Sequence, residues 1–165
     1  MSDYSEPYLR DIITNFYVTE PIRTIRSYGT GLIHATFIVE TGGDQDYVLQ
    51  RINTHVFPFV EALAENKVKV SEHIGKKLEA TQQRTQRHCL TFIPGRDGSF
   101  YYRDGRGEYW QLSVFIPGGH TYESVPNKTI AHQGGRAIGE FQRFLSDFPP
   151  DELHETIPHF HDVPF

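Results

Sequence analysis

The 165 residues suffice for one domain with a real hydrophobic core, and a net charge of -5 argues against a nucleic-acid partner held on a basic surface. The single cysteine, Cys89, precludes an internal disulfide, and no apolar run approaches a membrane span. With no signal-peptide features in the first seven residues, a soluble cytoplasmic protein with a small-molecule substrate, or with none, is expected.

In chain order, Leu9, Ile12, Ile13 and Phe16 recur at helical spacing behind Pro7, which predicts a short helix over 8–17. Residues 28–37 then form a glycine turn, with Gly29, Thr30 and Gly31, that runs into a strand at 36–40. A second strand is expected at 47–52, joined to the first by Thr41-Gly42-Gly43-Asp44, whose glycines suit a hairpin. Val60, Leu63, Ala64, Val68, Ile74 and Leu78 make the apolar stripe of a helix over 57–78, with Pro58 in its first turn. Residues 87–93 read as a strand, and 99–103 with 108–116 as a further hairpin across Asp104-Gly105-Arg106-Gly107.

The character changes after Pro117-Gly118-Gly119. A helix is expected over 129–148, with Ile130, Ala137, Ile138, Phe141, Leu145 and Phe148 on one side. Its three glycines lower intrinsic helix stability by about 1 kcal/mol each, so close packing by another element is expected there. The tail over 149–165 has four prolines and no clear period. His154, His159, His161 and Asp162 crowd together within it, but no helix or hairpin frames them, so no metal ligand is assigned.

Glycine turn, basic strand residue and helical acid, in that order, suit a site that holds a triphosphate. Gly29 and Gly31 let backbone N–H groups approach phosphates with no Cβ in the way. Arg51 shares a strand face with Tyr47 and Leu49 and can clamp phosphate oxygens. Glu65 lies at the margin of the helical stripe, where it can meet and orient Arg51; Glu61 and Glu72 are rival acids. Trp110, Leu112, Val114 and Ile116 alternate on one strand face, and Cys89 reads as a small buried apolar residue.

The series resembles the aminoglycoside- and choline-kinase-type phosphotransferases, and within them the N-acetylhexosamine 1-kinase branch. The resemblance rests on Gly29-Thr30-Gly31-Leu32-Ile33-His34-Ala35-Thr36-Phe37, Tyr47-Val48-Leu49-Gln50-Arg51-Ile52-Asn53 with Val56-Phe57, and Glu65-Asn66. It continues through residues 110–118, Gly139-Glu140-Phe141-Gln142, Glu155-Thr156-Ile157-Pro158 and Phe160-His161-Asp162. It implies an α+β fold: a protein-kinase-like upper lobe of about five antiparallel strands and one helix over 1–116, a hinge over 117–128, and the truncated start of a helical substrate lobe over 129–165. Adenine would lie against the hinge, at Phe115, Ile116 and Gly118.

ATP and Mg²⁺ are the family's cofactors and a sugar hydroxyl its acceptor. The catalytic aspartate, its loop asparagine and the metal-binding aspartate would fall beyond Phe165, so no catalytic residue is assigned and the chain alone is expected to be inactive. Two departures stand out: the strand lysine is Arg51, and His34 replaces an asparagine of the sugar-kinase branch. The alternative is a genuine short module, derived from a kinase upper lobe, that binds a ligand or dimerises without catalysis. In either case the exposed stripe of the C-terminal helix is expected to make a homo-oligomer.

Overall fold

The computed structural model describes residues 4–29, 33–82, 88–120, 122 and 124–160. Helix α1 (Glu6–Ile13) starts with a proline in its first turn and buries Leu9, Ile12 and Ile13 at helical spacing. It ends a turn earlier than the periodicity suggests. Phe16 has left the helix, lies fully buried, and forms an isolated bridge with Gly95.

Strands β1 (Ile22–Ser27), β2 (Ala35–Thr41) and β3 (Tyr47–Ile52) follow. After helix α2 (Val60–Ala80) come β4 (Phe92–Ile93), β5 (Tyr102–Arg103) and β6 (Tyr109–Val114). The six strands make one antiparallel sheet in the order β1-β2-β3-β6-β4, with β5 also on β6. Of the strand expected over 87–93 only Phe92 and Ile93 enter the sheet; residues 83–87 lie outside the described residues. Pro58 precedes α2 instead of occupying its first turn, and Phe59 stands at the N-cap.

Both faces of the sheet are covered. On one, α1 meets Phe37, Val39, Tyr47, Leu49, Trp110 and Leu112 in the main core. A polar clasp fastens α1 to the β5–β6 turn: Asp104 accepts from Trp110 Nε1 at 2.8 Å, from two backbone N–H groups, and from the Tyr8 hydroxyl. Burial pushes the Asp104 carboxyl up, yet these donors outweigh it and leave it below the usual carboxylate range. On the other face, Val60 and Leu63 of α2 pack with Ile52, Phe57 and Tyr109.

Helix α3 (Lys128–Phe144) begins at Asn127, whose side chain accepts from the Ile130 N–H at 3.0 Å. It stops at Leu145, about a turn short of the expected end. Its last carbonyls are taken up by α2: Lys77 Nζ donates to Phe144 O at 2.6 Å, and His73 Nε2 lies 3.1 Å from the same oxygen. Asp147 accepts from both side chains, and Phe148 stands edge-on to the His73 ring. Among its described residues α3 buries none. No described helix is long and apolar enough to cross a membrane.

Candidate functional site

Strand alternation makes the site. Tyr47 and Leu49 of β3 turn into the α1 core, so Val48, Gln50 and Ile52 turn toward α2. Register extends this choice across the sheet. Thr36, Gln50 and Gln111 stand opposite one another on β2, β3 and β6, and Ile38, Val48 and Ser113 form the next row, with Phe92 beyond on β4. The face under α2 thus carries a polar row beside a mainly apolar one.

The polar row is internally bonded. Gln50 Nε2 donates to Thr36 Oγ1 at 3.2 Å, and Gln111 Nε2 donates to Phe100 O at 3.2 Å. Lys67 reaches down from α2 and donates from Nζ to Gln111 Oε1 at 2.9 Å. Burial holds its ammonium below the ordinary lysine value. Beside the two rows lies a cavity of about 550 Å³, bounded by Val48, Gln50, Lys67, Ser113, Ile116 and Phe141. An apolar floor with a few convergent polar groups is the usual make-up of a small-molecule pocket.

The expected Arg51–Glu65 pair does not form. Arg51 falls on the α1 side with Tyr47 and Leu49, where its Nη1 lies 3.3 Å from Glu108 Oε1 and its guanidinium 6.0 Å from the Tyr4 ring centroid. The shared face was read correctly, but it is the face that α1 covers. Glu65 points outward from α2, at 2.7 Å from Lys69 and 2.9 Å from His154 Nε2. Hydrogen bonds from Lys69 and His154 hold its carboxyl below the usual range. The stripe that meets the sheet runs Val60, Leu63, Ala64, Lys67, Ile74, and Lys67 was missed because it interrupts that stripe as a charge. Its position, seven residues after Val60, was the available signal.

At the sheet's open end Gly29 adopts φ +74°, a left-handed conformation that favours glycine, and the Tyr28 N–H donates to Thr36 O at 2.9 Å. Thr30 and Gly31 lie outside the described residues. His34 Nδ1 accepts from the Asn53 N–H at 3.2 Å, with its ring 5.4 Å from Phe57. Burial first, then the charges of Lys67 and Arg51, hold its pKa below the ordinary histidine value.

At the other end the Phe115 N–H donates to Asp46 O at 2.8 Å, Ile116 lines the cavity, and Gly118 turns the chain at φ +79°. Trp110 and Leu112 are wholly buried on the α1 side and serve the core. Cys89 is half-buried, and its thiol donates to Ser71 O at 2.9 Å.

The polar side chains that line the cavity are Gln50, Lys67, Ser71, His88, Cys89 and Ser113; they include no carboxylate, the usual protein ligand of Mg²⁺. Among the described residues no group of three or more His, Cys, Asp or Glu side chains is placed to hold a metal ion. In the tail, His154 is engaged by Glu65, while His161 and Asp162 lie outside the described residues.

No family model matches the chain. Among solved structures it is similar to the spectinomycin phosphotransferase APH(9)-Ia in complex with ADP and spectinomycin, at a TM-score of 0.55 and 10% identity. The match covers 92% of this chain and 41% of that one, so the chain spans about two-fifths of the neighbour's length. The chain has a kinase-like fold. It comprises the strand-rich upper lobe and a short helical part, with a sixth strand where about five were expected.

Proposed function

We propose that this chain is the nucleotide-binding part of an ATP-dependent small-molecule kinase, with the upper lobe at 1–116, the hinge at 117–128 and the start of a substrate lobe at 129–165. The observation that carries the reading is the paired rows on the α2 side of the sheet. The adenine ring lies on Val48 and Ile116 beside the backbone of Phe115 to Gly118, where the chain enters the hinge, and the phosphates follow the polar row toward Gly29. The motif series of the sugar-kinase branch supports an N-acetylhexosamine-like acceptor for the complete enzyme.

Phosphoryl transfer depends on positioning and charge neutralisation by metal ions and a catalytic aspartate. The 165 residues contain no His-x-Asp sequence, so this stretch binds nucleotide without turnover. A non-catalytic, dimerising module is the second reading, favoured by the exposure of Ile138 and Phe141 on α3. Ligand-observed NMR tests the nucleotide site: ATP contacts the wild-type protein, and Val48→Phe, which fills the floor of the cavity, removes the contact. Binding indifferent to Val48→Phe contradicts the placement.

A further inference from the structure

The lysines of α2 do not all live in the same surroundings. Lys69 pairs with Glu65, and Lys77 pairs with Asp147, each with a carboxylate that stands exposed to solvent. Lys67 sits two residues from Lys69 but faces the sheet, and its hydrogen-bond acceptor there is the neutral amide of Gln111. Among the described residues no carboxylate forms an ion pair with it. A desolvated ammonium held by a neutral acceptor has given up hydration that no protein charge replaces, and an anion entering from solvent supplies the missing partner.

The neighbouring groups fix where such an anion would lie. Gln111 is only 3% exposed, and its amide is oriented from both ends: Nε2 donates to Phe100 O, so Oε1 is left to accept from Lys67. The Lys67 ammonium is thereby anchored over the row Thr36–Gln50–Gln111 at the cavity wall. Gln50, next in that row, offers its amide beside it. On the other side of the sheet Arg51 is occupied by Glu108, and so it cannot serve the cavity under α2.

We propose that Lys67, carried on α2, is the side chain that contacts the phosphate chain of the bound nucleotide, with Gln111 as its positioning residue. This rests on the nucleotide reading above and adds the source of the cation: a helix, where the strand residue Arg51 was expected to provide it. The recognised chemistry is a polyphosphate attached to a base.

Calorimetry and ligand-observed NMR on the 165-residue protein, with adenosine, ATP and inorganic tripolyphosphate, separate the two claims. Lys67→Met, of similar length and without charge, is expected to lose about tenfold or more in ATP affinity and to leave adenosine binding unchanged. Tripolyphosphate is expected to compete with ATP on the wild-type protein and to fail to bind Lys67→Met. If Lys67→Met binds ATP as wild type does, Lys67 has only a packing role and the inference is overturned while the nucleotide reading stands. If the wild-type protein binds neither adenosine nor ATP, the nucleotide reading falls and takes this inference with it. A measurement on unmutated protein covers a variant that does not fold: ATP, and not adenosine, should slow acetylation of Lys67 by acetic anhydride, read by mass spectrometry. Equal rates with and without ATP overturn the proposal.

Discussion

Arg51 and Glu108 face each other at 3.3 Å on the α1 side of the sheet, and the Tyr4 hydroxyl donates to the same Glu108 oxygen at 2.8 Å. Burial, then that hydrogen bond, pushes the Tyr4 phenol up to about 12. The three residues join the chain's first helix region to β3 and to the start of β6, so the arginine that seemed suited to phosphate serves to tie α1 down. Removing one member leaves the other polar groups short of partners in a half-buried place.

Arg51→Ala is therefore expected to destabilise the fold by roughly 1.5–3 kcal/mol, the scale of losing a hydrogen bond to a charged group. ATP affinity should stay at the wild-type level. Urea denaturation and calorimetry check the two halves independently. A variant of wild-type stability with weakened ATP binding would return Arg51 to the nucleotide site.

His34 gives a pH dependence of known sign. Its folded pKa lies below the ordinary 6.5, chiefly through burial, and its Nδ1 must stay unprotonated to accept from the Asn53 N–H. The unfolded chain then binds the proton more readily than the folded one. The His34 contribution to stability is complete above 6.5 and is lost as pH falls from there through the folded pKa. Urea midpoints taken across about pH 5 to 8 should drop toward the acid side, and His34→Gln should flatten that drop. An identical slope in the variant would show that His34 titrates as an unfolded histidine does.

Helix α3 presents Ile138 at 63% exposure and Phe141 at 49%, although its C-terminus is held firmly by His73 and Lys77. Covering a large apolar side chain is worth about 1.5–3 kcal/mol, so two copies gain by pairing these faces. Light scattering should show a mass that rises with concentration, and Ile138→Glu should hold the protein monomeric with its thermal stability unchanged. A wild-type monomer at every concentration removes the interface.

Much of this architecture was legible because its elements have strong periods. The 57–78 stripe became α2 with a shift of two or three residues, and Thr41-Gly42-Gly43-Asp44 does connect β2 to β3. The side of β3 was not legible, for a physical reason. A strand covered by helices on both faces lacks a clean apolar–polar alternation, so the strand's own pattern did not show that Arg51, assigned to the ligand side, faces away from α2 while Gln50 faces it. Parity separates them, but only the burial of Tyr47 and Leu49 under α1 says which parity faces α2. Glu108 was beyond reach for a different reason. It is 57 residues from Arg51, and only the pairing of β3 with β6 brings the two together. The shortness of β4 and the early end of α3 are end effects that periodicity does not resolve.

The side of the sheet that binds nucleotide is the central claim, and methyl NMR during an ATP titration tests it most directly, since its probes lie on both faces. The methyl groups of Val48, Val70, Ile74 and Ile116 line the cavity under α2, whereas those of Ile12, Val39, Leu49 and Leu112 are buried under α1. ATP is expected to move the first set progressively and to leave the second in place. Shifts confined to the α1 set, or no shift in either set at saturating ATP, would contradict the account.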